Sequence, residues 1–479
     1  VDSRISSPSA VPARSSLGRR GSPRGTLFAL LTLFLGYIVL ENGLASAVPA
    51  IQAALGASTP QITWIFTGVA LSGAVLGPLM GRLGDIRDKR RVLLGLMAVV
   101  CLGALLPTLA PNLVLLTTGQ LLQGAGAGFF AVAVGLLNDT QPIERVKSSV
   151  GLMIAMGGVA TVVGILVTGV VLSALPYAWM FWIALAIMLV SLIAAWRYAP
   201  SCPPAERGRV DWWGAALLAA GLVALLVGIT LAAALGWFSG PVLGLVLGGL
   251  LLLAGFATVA LHRTEPLLEL RHLRHRPVLL TCLVSFVAGF GTTAILVIVP
   301  QIVALPASTG YGLGGTPFRV GLSLLPLGIV SLIVAPFTAR LERLIGARWV
   351  LALANAAMLA AALILLLAPS RPEVIAVASG LTGLTLGFGL AQGANILVAV
   401  VPAGRVASAT ALSNVFRSIG GALGAQISAA VITGTRITGT PLPAWTGFVT
   451  ALLVLGGIGL AALLLSLAFP ARLTRIAAP

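Results

Sequence analysis

Runs of about 20 consecutive apolar residues recur from residue 26 to residue 468, parted by short polar loops. Each run is long enough to cross a hydrocarbon core of ~30 Å as a helix. Backbone polar groups in lipid must be satisfied within the segment, so the spans are predicted to be helical. They fall at roughly 26–49, 60–81, 91–110, 113–138, 148–174, 179–198, 212–235, 240–261, 278–304, 318–339, 349–368, 374–400, 406–433 and 446–468. That makes fourteen, and an even number puts both chain ends on one side. With 58% hydrophobic residues in 479 and a mean hydropathy of +1.07, the chain carries more apolar surface than a soluble domain needs.

A formal charge of +17 could suggest nucleic acid, but its distribution argues against that partner. Of the Lys and Arg residues, 25 lie on one side of the spans, in the N-terminal tail, the even-numbered loops and the C-terminal tail. Only Arg319, Arg371 and Arg436 lie on the other, and Arg417 is inside a span. The positive-inside rule makes the first side cytoplasmic, with both termini there. Only two of the 29 basic residues are lysines, Lys89 and Lys147, a bias that suggests a GC-rich bacterial genome and hence a multi-pass protein of the bacterial inner (plasma) membrane. Residues 1–25, rich in Ser, Pro and Arg, read as a disordered cytoplasmic tail. No small-residue cleavage pattern follows the first apolar segment, so it is expected to remain as a span. Cys101, Cys202 and Cys282 sit in separate segments, with no disulfide framework and no metal spacing.

The loop Gly81 to Leu94, GRLGDIRDKRRVLL, packs seven charges between two apolar runs. It has an echo. Residues 81–93 align without gaps to 339–351, with Arg82 on Arg340, Leu83 on Leu341, Arg90 on Arg348 and Val92-Leu93 on Val350-Leu351. Arg145-Val146 likewise matches Arg405-Val406, and Gly164 matches Gly424. Spans 1–6 then correspond to spans 9–14, with spans 7 and 8 inserted between. Two six-helix bundles around a midplane site is the repeat logic of a secondary transporter. The expected organisation is a tail at 1–25, an N-terminal bundle at 26–198, an inserted pair with cytoplasmic linkers at 199–277, a C-terminal bundle at 278–468 and a cytoplasmic tail at 469–479.

Gly81, Leu83 and Asp85 as G-x-L-x-D, followed by Lys89, Arg90 and Arg91, resemble the loop 2–3 signature of the major facilitator superfamily. The whole series looks like the fourteen-helix drug:proton antiporter group of that superfamily. Its motifs here are Ala47-Val48-Pro49-Ala50-Ile51-Gln52, Leu122-Gln123-Gly124, Trp179-Met180-Phe181-Trp182-Ile183, Val210-Asp211-Trp212-Trp213-Gly214 and Phe416-Arg417-Ser418-Ile419-Gly420-Gly421. The resemblance covers about residues 26–468. It implies an all-α membrane fold, alternating access and a proton gradient as energy source, with no cofactor. The chain departs from the group at several positions. Leu40, next to Glu41, stands where the group has an Asp in span 1. Gln120 replaces an Arg in span 4, Gly164-Ile165 replaces Gly-Pro in span 5, and Ile86 and Asp88 replace an Arg and a Gly in the loop.

Glu41 is the only acidic residue well inside a span. A charged carboxylate at the membrane centre costs ~2.5–3.5 kcal/mol on insertion scales. One reading is a proton-coupling or cation-binding group. The other is a neutral acid held by a structural hydrogen bond, for instance to Asn42. Arg417 is the only basic residue deep in a span and does not lose its proton. It reads as a charge partner of Glu41, as a contact for an anionic substrate, or as a structural tie to carbonyls. The resemblance implies that Gly81, Arg82, Asp85, Lys89, Arg90 and Arg91 form a cytoplasmic latch. The alternative is a solvated loop whose pairs are each worth ~0–1 kcal/mol.

Asn42, Gln61, Trp64, Phe66, Gln120, Gln123, Asn355, Gln392, Asn395, Asn414 and Gln426 are the remaining polar and aromatic candidates for a cavity wall, against interhelical hydrogen bonds of ~0.6 kcal/mol each. His262, His272 and His275 all precede span 9, and a basic linker on anionic lipid headgroups is expected there rather than a metal site. No Walker loop, zinc-protease motif or nucleophile elbow occurs, so neither an ATP-driven pump nor an enzyme is supported. The expected function is export of small amphipathic molecules such as antibiotics by a monomer in contact with membrane lipids, with the proton coupling that the resemblance implies. A lipid or lipid-conjugate transporter and a non-transporting receptor of the same fold are the alternatives.

Overall fold

The computed structural model describes residues 22–109, 112–202, 208–263, 265–401, 406–440 and 442–469. Among these residues every named element is helical, and the sole β-bridge joins Arg436 to Pro443. Fourteen helices are long and apolar enough to cross a membrane. Spans 1 to 7 are Pro23–Leu55, Thr59–Gly84, Lys89–Leu109, Leu113–Thr140, Ser148–Ala174, Ala178–Tyr198 and Trp212–Leu235. Spans 8 to 14 are Gly240–His262, Arg276–Ala304, Pro317–Ile345, Ala347–Leu367, Pro372–Val400, Ser408–Thr433 and Trp445–Leu467. Most of the tail expected at 1–25 and at 469–479, and Arg405, lie outside the described residues.

The largest boundary difference is in span 1. It starts at Pro23, where the Ser22 hydroxyl accepts from the Gly25 N–H, and runs through Pro49 to Leu55 before Gly56 ends it at φ 59°. Proline interrupts the backbone ladder only locally, and neighbouring helices support the helix on both sides of it.

Span 1 packs on spans 5 and 6, span 2 on span 4, and span 3 on spans 4 and 6. Span 9 packs on spans 13 and 14, span 10 on span 12, and span 11 on spans 12 and 14. Adding eight to each span number converts the first set into the second. The glycines matched by sequence carry this symmetry. A Cβ on Gly164 would strike the Val39 carbonyl of span 1, and one on Gly424 would strike the Phe290 carbonyl of span 9. The same backbone crossing is therefore built twice. The halves meet where span 5 packs on span 10 and span 2 on span 13, again a related pair. Spans 7 and 8 pair with each other, and span 7 leans on spans 2 and 13.

Candidate functional site

Span 1 lines Phe34, Tyr37 and Glu41 along one face, at helical spacing. Phe34 meets Phe130 edge-on with centroids 6.0 Å apart, and Tyr37 meets Phe129 in the same way at 5.6 Å. Both partners follow a 3-10 segment, Gly124–Gly128, that interrupts span 4. Glycine is required there: a Cβ on Gly126 would collide with the Tyr37 ring, and one on Gly124 with Ser72 of span 2. The glycine run thus draws spans 1, 2 and 4 together around Tyr37.

Glu41 lies deep among the spans, yet its side chain is exposed, so it opens on interior space rather than on packed protein. No described residue hydrogen-bonds or ion-pairs with its carboxylate. The structural reading through Asn42 is removed, because the Asn42 amide donates to the Ile38 carbonyl at 3.1 Å and to the Thr161 hydroxyl at 3.5 Å. Arg417, from span 13, brings its positive charge within electrostatic reach of both Glu41 and Tyr37 without an ion pair. Its Nε is buried and has no acceptor. Asn414, three residues earlier on span 13, is exposed. The site therefore holds an acid, a phenol and a permanent cation, close but not joined.

The two halves are tied together at the end remote from the basic loops. The Gln301 amide of span 9 donates to the Gln52 oxygen of span 1 at 3.0 Å. Spans 5 and 10 pack from Gly158 against Leu332, near mid-span, to Gly169 against Phe318, near that end. Beyond them, Tyr311 donates to the Pro443 carbonyl and packs on Trp445 and Phe448.

The other cavity candidates scatter. Gln61 is a helix cap, accepting from the backbone and hydroxyl of Ser58. Trp64 and Phe66 pack into the core. Gln123 ties span 4 to the Gly103 carbonyl of span 3 at 3.0 Å. Asn355 donates to Ser466, Asn395 to Glu342, and Gln426 links Thr67 of span 2 to Thr230 of span 7. Gln120 and Gln392 are fully buried, and neither amide has a partner.

The charged loop is pinned by acids that sequence reasoning overlooked. Asp88, one of the loop's seven charges and a departure from the family pattern, accepts from the Ser201 hydroxyl, from Cys202 N at 3.1 Å and from Arg90 N at 3.0 Å. Arg91 lies 3.8 Å from the same carboxylate. Burial works against the charged form of Asp88, but these donors and Arg91 outweigh it and hold the carboxyl below its ordinary value. Lys89 pairs with Asp139 at the end of span 4, and Arg82 with Glu265 at 3.3 Å. Arg90 donates to the Trp196 carbonyl. Gly81 lies against Ala131, and the side chain of Asp85 is outside those described. Asp88 reaches Ser201 and Cys202 just past span 6, and Arg82 reaches Glu265 in the linker before span 9. Burial, with Asp139 and Asp88 nearby, pushes the Cys202 thiol up to about 11. His272 lies 2.8 Å from Glu269 and 2.9 Å from Ser408, joining the linker to span 13.

Tyr37 was also missed. Its signal was available, since it is the only tyrosine well inside a span and stands one helical turn before Glu41.

Fourteen apolar helices in two similarly packed halves, with a lone acid and a lone cation between them, define a multi-pass membrane protein of the transporter class. The model of the Major Facilitator Superfamily matches residues 26–341, well over half of the chain, and the chain belongs to that superfamily. It is 28% identical over 414 residues to an uncharacterized MFS-type transporter of Mycobacterium tuberculosis, covering 83% of this chain and 58% of the relative. The chain thus spans less than two thirds of that relative. It is 24% identical over 322 residues to the lincomycin resistance protein LmrB of Listeria monocytogenes, covering 66% of each. Among solved structures, a mutant of the nucleoside transporter NupG shares the fold at a TM-score of 0.64 and 12% identity, covering 93% of this chain and 99% of that one. The family is that of Major Facilitator Superfamily transporters.

Proposed function

We propose that this protein exports small amphipathic molecules by alternating access, driven by proton antiport, with Glu41 as the proton carrier. The basic loops face the cytoplasm of a bacterial cell, the protein works as a monomer, and the bundles rock about the space between spans 1, 5, 9 and 13. One observation carries the reading. An acid that no described residue pairs stands open to interior space in the middle of span 1. A carboxylate at that depth costs free energy, and acids kept inside spans mark substrate and ion pathways or proton relays. The resistance named for the Listeria relative supports a drug-like substrate.

The test is uptake into proteoliposomes under an imposed pH gradient, with a panel of hydrophobic drugs, wild type beside Glu41→Gln. Gradient-driven transport should be lost in the variant. Unchanged transport by Glu41→Gln removes the proton-carrier role.

A second reading is export of lipids or lipid conjugates without proton coupling. It is favoured by Gln120, whose buried amide without a partner stands where the resembled group has an arginine. Movement of a fluorescent lipid with no gradient imposed would support it.

A further inference from the structure

We propose that Arg417 holds the acidic headgroup of the transported amphiphile, a carboxylate or a comparable oxyanion, in competition with ionised Glu41. This rests on the transport reading above and names its substrate class.

The two charges are asymmetric. Glu41 can shed its charge by taking a proton. Arg417 cannot. A guanidinium inside a membrane protein therefore needs an acceptor at every stage of a cycle, and charged side chains in spans pair with one another, with carbonyls or with a water-filled cavity. No described residue supplies that acceptor, and Nε is buried without one.

Nor can the backbone that carries it shift freely. The backbone of span 13 is pressed on span 9 at Arg417, where a Cβ on Gly289 would strike the Arg417 carbonyl. One turn on, a Cβ on Gly420 would strike the Phe286 carbonyl. The backbone that carries Arg417 is thus fixed against span 9, and no described residue accepts from its guanidinium. Its planar fork matches a carboxylate in bidentate geometry.

The neighbours suit an amphiphile with such a head. Exposed Asn414 offers an amide beside the cation. The Tyr37 hydroxyl lies within reach of the Arg417 charge and has no hydrogen-bond partner among the described residues. Its ring continues into Phe129, while Phe34 and the partly exposed Phe130 extend an aromatic wall along span 1. One cation cannot satisfy both Glu41 and a substrate anion fully. Binding of the anion therefore competes with ionised Glu41, which gives the acid a role in exchange.

The test uses the purified full chain in nanodiscs at pH 8. Its probes are three radiolabelled compounds with one tail and different heads: laurate, dodecanol and dodecyltrimethylammonium. Laurate should bind at least tenfold more tightly than the other two. Arg417→Gln should remove that preference, Arg417→Lys should keep part of it, and Glu41→Gln should tighten laurate several-fold. A structural role for either charge would not give these opposite signs. Equal binding of the three heads by wild type overturns the inference, as does an equal loss of all three in Arg417→Gln. Weaker laurate binding in Glu41→Gln overturns the competition. Thermal unfolding of each variant separates misfolding from lost contacts, and Arg417→Lys keeps the question decidable if Arg417→Gln does not fold. Failure of the transport reading shows elsewhere, as absent gradient-driven uptake of any compound in proteoliposomes.

Discussion

The ammonium of Lys89 lies 2.8 Å from the Asp139 carboxylate, with the lysine side chain 5% exposed and the aspartate 33% exposed. The lysine stem lies along span 4, where a Cβ on Gly135 would touch its Cε. The pair therefore ties the first turn of span 3 to the last turn of span 4. Asp139→Asn leaves a buried ammonium short of a charge partner and should cost about 1–3 kcal/mol. Lys89→Met together with Asp139→Asn should recover most of that loss, because an uncharged pair pays no desolvation. Thermal unfolding in detergent measures both.

Asp88 makes the loop sensitive to acid. Its carboxyl is held below the ordinary 3.8 by Ser201, Cys202, Arg90 and Arg91, against the opposing effect of burial. A depressed carboxyl contributes stability that is complete above its unfolded value and is lost as pH falls through its folded value. The protein should therefore keep this contribution at pH 5 and lose it below 3.8. Asp88→Asn should lower stability by about 1 kcal/mol at pH 7 and flatten the acid limb below pH 3.8, in order-of-magnitude terms. Melting midpoints from pH 7 down through the acid limb read the difference.

Gly164 and Gly424 should respond alike to one substitution. Each lies where a Cβ would meet a carbonyl of the first span of its own half. Alanine at either site overpacks the crossing and should cost about 1–3 kcal/mol. The yield of monodisperse protein on size exclusion should fall for both variants. Alanine at Gly95, which faces open space, should change nothing.

The contact between Arg82 and Glu265 joins the loop to the linker before span 9. Its carboxylate is exposed, so Glu265→Gln should leave the melting midpoint unchanged. A latch would show instead in the transport rate. Glu265→Gln should change the initial rate in proteoliposomes severalfold, and the charge-exchanged pair Arg82→Glu with Glu265→Arg should restore it. A rate unaffected by either change reduces the contact to a surface pair.

The sequence by itself determined the architecture. Fourteen helices, two related halves and the match of Gly164 to Gly424 were all legible, because lipid leaves a spanning segment one economical way to satisfy its backbone. Glu41 and Arg417 stood out for the same reason, as charges that lipid penalises. What each side chain faces was not legible. Gln61 became a cap, Gln123 and Gln426 became ties between helices, and Asp88 became the centre of its loop. Only the tertiary structure decided that Asn42 turns to Thr161, that Glu41 and Arg417 stand near one another unpaired, and that Tyr37 completes the site. A span's hydropathy is a property of its own residues. A partner across 100 or more positions depends on how helices rotate and cross, and that is set by the close contacts of glycines with carbonyls.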